Sequence, residues 1–260
     1  MVFIDTTHCE RVSLSCQKSE YEKSNHLTIC HRFAPGQKCL SGQRRQRFCI
    51  DPYEYPNEKG GHPPVNVSAY DGAAMCAEQG KRLCYESEWV AACEGPDKLP
   101  FPYGHERSGK MCNIDNRYIV PSLKRAYSSN TAVRDRELRR LDQSVPSGSM
   151  ETCKSGFGVY DLTGNFDEWV LSERERGKSG WAGLKGGAWG HVRNACRPIT
   201  TSHPPQFTYY FISFRCCKDA DESALPPPSD DVPIWRPPPP PSRPAPGGPK
   251  RGWSPKPSGG

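Results

Sequence analysis

Two short stretches hold most of the chemistry this chain of 260 residues can offer. The first, GLKGGAWGHVRNACR at 183–197, places Cys196 after a Gly-Gly-Ala-Trp turn, with His191 on the same loop. As a thiolate, Cys196 would be a nucleophile or a soft ligand for Cu(I); as a half-cystine it would be a staple. The second, VYDLTGNFDEW at 159–169, sets Asp161 and Glu168 around Gly164. Glycine tolerates a positive φ, so the turn can fold back and point carbonyls between two carboxylates. Such an oxygen set suits calcium rather than zinc. The competing reading is a tight turn whose acids cap local N–H groups or pair with arginines. Acid–base catalysis by this pair ranks below both, because nothing in the sequence raises either pKa.

Thirteen cysteines are too many for an ordinary cytosolic domain, and none forms a C-x-x-C knuckle. The content points to disulfides and an oxidising, extracytoplasmic compartment (periplasmic, cell-surface or secreted). The odd number leaves one thiol free or paired to another chain. The start, MVFIDTTHCE, lacks the basic and apolar regions of a signal peptide, and no transmembrane stretch is visible. The net charge of +6 owes much to Arg236, Arg243, Lys250, Arg251 and Lys256 near the C-terminus. No aromatic-interleaved basic stripe accompanies it, so nucleic acid is not an expected partner.

These stretches need elements to hold them. Residues 1–49 read as a cysteine-rich extension packed on the main domain, with GQRRQR (42–47) a solvated loop and the cysteines stapling the extension to the rest. Residues 50–220 read as the main domain. There, Ser68 stands as an N-cap with Asp71 three residues on, and Ala73, Cys76 and Ala77 follow helical spacing up to a stop at Gly80. A second helix is expected over ESEWVAACEG, burying Trp89, Ala92 and Cys93 and ending at Gly95. The section 95–157 is mostly loop, with at most one short helix at 134–143. Short strands are expected at 157–162, 183–189 and 211–217. Residues 221–260, with runs such as RPPPPPSRPAP, read as a disordered or extended tail, a tether or a docking segment for a partner. The fold class is α+β with little regular structure and disulfide staples.

GKRLCYESEWVAAC, FPYG, FGVYDLTGNFDEW, LKGGAW and ISFRC occur in that order over about residues 50–217. The series resembles the formylglycine-generating enzyme (sulfatase-modifying factor) family, whose wording is G-K-R-L-P-T-E-A-E-W, P-W-G, G-L-Y-D-M-x-G-N-x-x-E-W, L-R-G-G-S-W and G-F-R-C. Each motif alone is weak; their order is specific. The resemblance implies a C-type-lectin-like variant fold and two calcium sites. One would use the Asp161 and Glu168 side chains with the Gly164 and Phe166 carbonyls. The other would begin with the Asn113 side chain and the Ile114 carbonyl. The family's oxidases convert a cysteine of a client polypeptide to formylglycine with copper and oxygen, using a close pair of cysteines after the Gly-Gly-Ser turn. This chain departs from that pattern. Counting forward from Gly186, Cys196 falls on the second active-site cysteine and His191 replaces the first. Counting back from FRC, Cys196 falls near a third, structural cysteine and the loop is shorter. Neither alignment gives two thiols, Ala188 replaces the serine, and Asp167 replaces a tryptophan.

By resemblance, Cys76 pairs with Cys216 and Cys93 with Cys196. Side-chain alternation turns Cys217 away from Cys216 and leaves it for another partner, with Cys84 offered. Cys112 and Cys153 are offered as a pair across the long loop. Three functions remain in view. The first is a calcium- and disulfide-stabilised binding or scaffold module without the copper–cysteine chemistry, with a protein partner or client. The second is an oxygen-dependent oxidase on an altered copper or iron site, for which His191 and Cys196 are the candidates. The third is a lectin-like carbohydrate binder. His62, His105 and His203 show no metal-ligand spacing.

Overall fold

A computed structural model describes residues 1–23, 26–190 and 193–238. Strands β1 (Val2–Cys9), β2 (Val12–Ser13), β3 (Cys16–Glu22), β4 (Leu27–Phe33), β5 (Lys38–Cys39) and β6 (Gln43–Ile50) come first. Helix α1 (Ala69–Glu78), strand β7 (Arg82–Leu83) and helix α2 (Glu86–Glu94) follow, then helices α3 (Leu123–Ala126) and α4 (Thr131–Leu141). Strands β8 (Asp167–Arg176), β9 (Gly180–Lys185), β10 (Ile212–Phe214) and β11 (Cys216–Asp219) precede a 3-10 turn at Glu222–Ala224. One sheet has the order β1-β6-β11-β7 and another β10-β8-β9, while β2 pairs with β5 and β3 with β4. The architecture is α+β, with few helices and long ordered connections. No helix among the described residues is long and apolar enough to cross a membrane.

The N-terminal segment enters the four-stranded sheet through β1 and β6, while β2 to β5 between them form two separate two-stranded sheets. GQRRQR does not form a solvated loop: from Gln43 it is strand β6, flanked by β1 and β11. Its two buried polar side chains, Gln46 and Arg47, are tolerated inside because both reach partners on other elements. Gln46 donates to Ser87 Oγ at 2.6 Å, and Arg47 pairs with Asp5 at 3.2 Å. The early cysteines do not staple this segment to the rest either. Cys9 bonds Cys39 and Cys16 bonds Cys30. Cys49 is the free cysteine, half-buried on β6.

Helix α1 starts at the Ser68–Asp71 capping box, and the backbone past its end reaches a positive φ of 65° at Gly80. Its buried stripe is Ala69, Gly72 and Cys76, and Ala77 is exposed. Gly72 belongs to the stripe because a Cβ there would lie 3.1 Å from the Phe214 ring. Helix α2 is buried from Ser87 to Glu94, enclosed on all sides, and ends at Gly95 with φ 66°. Helix α4 runs eleven residues from an Asn130 cap, longer than the short helix expected. The 157–162 stretch is not a strand; Gly158 and Asp161 take φ of 82° and 57°, which break an extended run. The strand expected at 183–189 stops at Lys185, where Gly186 and Gly187 turn with φ 87° and 67°. The one expected at 211–217 is interrupted at Arg215, so β10 and β11 join different sheets.

Residues 221–238, expected to be disordered or extended with the rest of the tail, lie against the domain. Trp235 N donates to Arg45 O at 2.7 Å, and the Trp235 ring packs edge-on to Tyr85. The remaining tail, 239–260, lies outside the described residues.

Candidate functional site

The acidic turn sits where β8 begins, between α2 and the break before β11. Gly164 takes φ 83° and Asn165 φ 56°. A Cβ at Gly164 would stand 2.3 Å from the Asn113 carbonyl, so only glycine allows this approach. The turn thereby meets the second predicted site. Asn165 N donates to Asn113 O at 3.0 Å, and Asn113 Nδ2 donates to Asn165 Oδ1 at 3.2 Å. Ile114 follows, buried.

The two predicted acids differ in what holds them. Glu168 is fully buried and accepts from Arg215 Nε and Nη2, each at 2.7 Å, and from Trp89 Nε1 at 2.9 Å. Arg215 also donates to the carbonyls of Asp51, Pro52 and Tyr160, so all five of its N–H groups are used. Asp161 accepts from Gly148 N at 2.7 Å through Oδ2, while its Oδ1 is buried with no hydrogen-bond partner among the described residues. Burial pushes the Asp161 carboxyl up to about 6. Glu54 joins them from the chain before α1, accepting from Ser147 Oγ at 2.5 Å and Asn165 Nδ2 at 2.9 Å. Burial, and then the Asp161 charge, push Glu54 up to about 8, so it holds its proton at neutral pH. One guanidinium thus stands among three buried carboxyls. The motif FRC pointed to Arg215 without giving it a role; Glu54, in DPYEYP, left no signal.

As a calcium site the turn fits in part. The unpartnered Asp161 oxygen has the chemistry of a hard-cation ligand. Glu168 already carries the positive charge of Arg215, and the Asn113 side-chain oxygen accepts from Asn116 at 2.9 Å. No group of three or more His, Cys, Asp or Glu side chains able to hold a metal occurs among the described residues.

One side chain, Asn194, ties the described parts of the glycine loop together. Asn194 donates to the carbonyls of Gly186 and Ala188 at 3.1 and 2.9 Å. Cys196 is bonded to Cys93 and is fully buried. Lys185, where the family has arginine, is buried beside it and donates to Cys196 O at 2.8 Å and Arg197 O at 3.0 Å. Burial pushes this lysine down to about 7. Asp167, where the family has tryptophan, accepts from Gly187 N at 3.3 Å and is pushed up to about 7 by burial. His191 lies outside the described residues. His203 stacks on Phe207. A copper–thiolate pair does not fit these residues: the one sulfur on the loop is spent in a disulfide. The other bonds in this half of the molecule are Cys76–Cys216, Cys84–Cys217 and Cys112–Cys153.

A disulfide-stapled α+β domain, with an acidic turn packed against a glycine loop, is the class these features define. The family profile described as "Sulfatase-modifying factor enzyme 1-like domain" matches residues 16–220, and the chain belongs to this family. Among curated proteins, it is 26% identical over 170 residues to the "Inactive C-alpha-formylglycine-generating enzyme 2" of Bos taurus, covering 63% of this chain and 52% of that protein. It is 29% identical over 118 residues to the "Formylglycine-generating enzyme" of Mus musculus, covering 43% and 27%. The chain spans about half the length of the inactive relatives it matches. The solved structure of CarF superimposes with a TM-score of 0.45 at 14% identity, over 84% of this chain and 99% of that one.

Proposed function

We propose that this chain is a sulfatase-modifying-factor family module that lacks the copper–cysteine oxidase chemistry and acts as an extracytoplasmic binding or scaffold domain. The observation that carries this reading is the Cys93–Cys196 disulfide, which removes the only thiol of the glycine loop. The relatives named inactive support it. Six disulfides support an oxidising compartment. The test is oxygen uptake and peptide mass with the full chain, copper and a cysteine-containing sulfatase peptide. The reading expects neither oxygen consumption nor formylglycine; turnover of the peptide cysteine would overturn it.

Calcium, in this reading, is a stabilising ion held by Asp161 and Glu168 with the Gly164 and Phe166 carbonyls, and by Asn113 and Ile114 nearby. Support comes from the unpartnered Asp161 oxygen. The parent chain should melt at a higher temperature with calcium, and an Asp161→Ala variant should lose that rise. An undiminished rise would remove the assignment.

A further inference from the structure

A cleft of about 610 Å³ opens between the N-terminal strands, helix α2 and strand β8. Eight buried side-chain nitrogen or oxygen atoms lack a hydrogen-bond partner among the described residues, and three of them belong to its lining: His8 Nδ1, Arg44 Nε and Arg176 Nε. A guanidinium N–H can only donate, so two of these atoms call for an acceptor. His8 is 5% exposed, too enclosed to be satisfied by open solvent.

The charge around the cleft points the same way. Five arginines line it against three glutamates; Arg44, Arg174 and Arg176 pair with those glutamates and Arg197 with Glu94, which leaves a small positive excess. Arg176 is paired with Glu86 through Nη2 and Arg44 stands 3.7 Å from Glu173, so in each case the Nε–H is left over. Burial, and then the charges of Arg197, Arg44, Lys98 and Lys185, push His8 down to about 3. Burial is the larger cause, and the smaller contribution of the surrounding cations favours an anion over a further cation. The cleft is also larger than a bare sulfate or phosphate needs, and Leu14, Leu40, Val90 and Ile199 give it apolar wall.

We propose that this cleft binds a small organic oxyanion, its head held by Arg44, Arg176 and His8 and its apolar body lying along Leu14, Leu40, Val90 and Ile199. Carboxylate, sulfate and phosphate heads share the required chemistry. The inference does not depend on the loss of oxidase chemistry, since none of these residues belongs to the glycine loop or the acidic turn.

The experiment is calorimetric titration of the full chain with benzoate, phenyl sulfate and phenyl phosphate, with neutral benzamide as the control. At least one anion should bind saturably and benzamide should not; the anion that binds identifies the head group. Arg44→Gln and Arg176→Gln should each weaken binding about tenfold, the loss of one charged hydrogen bond. Leu40 is 57% exposed, so Leu40→Glu leaves the core untouched and should weaken binding by repulsion. No saturable binding of any anion would overturn the proposal. So would benzamide binding as well as the anions do, or an affinity that all three substitutions leave unchanged.

Discussion

Cys196 has to be either reactive or structural, and the geometry around it favours structure. Its sulfur joins Cys93 across 103 residues of chain, both ends are fully buried, and Lys185 is spent on its carbonyl. Replacing Cys93 and Cys196 together by alanine should cost about 3–5 kcal/mol in denaturant unfolding, as expected for a bond closing a long loop. The family's motif order located this cysteine in the sequence, but two alignments of the loop competed. Cys93, core-facing on its helix, tips the sequence reading toward the structural alignment, and in the structure it bonds Cys196. Glu54 was illegible for a different reason: a glutamate in a loop carries no periodicity, and its burial depends on Asn165 and Ser147, far away in sequence. Its carboxyl is raised above the unfolded value of 4.5 to about 8. Below about pH 4.5 both states hold the proton. As pH rises toward 8 the unfolded chain releases it and the folded one does not, so this group lowers stability across that window. Glu54→Gln should therefore gain on the parent chain between pH 5 and 8, by something on the order of 2 kcal/mol at the upper end. Urea melts across that range check it; a parent–variant difference that stays constant with pH would count against a protonated Glu54.

At the scale of elements, local signals were read well where the backbone itself enforces them. The Ser68–Asp71 box starts α1, and Gly95 ends α2. Ser68→Ala should cost about 1 kcal/mol. Strand β6 went unseen because strand reading relies on alternating apolar residues, and QRRQR offers arginines and glutamines instead. Two of them, Gln46 and Arg47, are buried, and Asp5, Ser87 and Glu222 reach them from other elements. Likewise Arg215 divides the stretch 211–217 between two sheets, with its guanidinium held inside by Glu168. The acidic turn rests on Gly164, whose φ of 83° and contact with the Asn113 carbonyl leave no room for a side chain. Gly164→Ala should destabilise by about 2 kcal/mol or more and blunt any calcium-dependent shift in melting temperature. A variant that melts with the parent would show that the turn tolerates a Cβ.

Over the whole molecule, the disulfides divide by depth. Cys76–Cys216, Cys84–Cys217 and Cys93–Cys196 lie wholly inside, while Cys16–Cys30 sits on the solvent-facing hairpin of β3 and β4. With limiting phosphine reductant, Cys16 and Cys30 should be alkylated before any of the inner six cysteines. The inner bonds tie α1 and the end of β7 to β11, and α2 to the glycine loop, whereas β1 and β6 are held to β11 by backbone pairing and by Ile4, Phe48 and Ile50 in the core. That is why the polar N-terminal segment read as an appendage: its attachment is backbone pairing and three buried apolar side chains, which overall composition does not reveal. The central claim is that the glycine loop presents a staple in place of a reactive thiol. Peptide mapping by mass spectrometry of the native, unreduced chain after alkylation tests it most directly. The account predicts a Cys93–Cys196 cross-linked peptide, with alkylation confined to Cys49. Alkylated Cys196, with Cys93 free or bonded elsewhere, would contradict it.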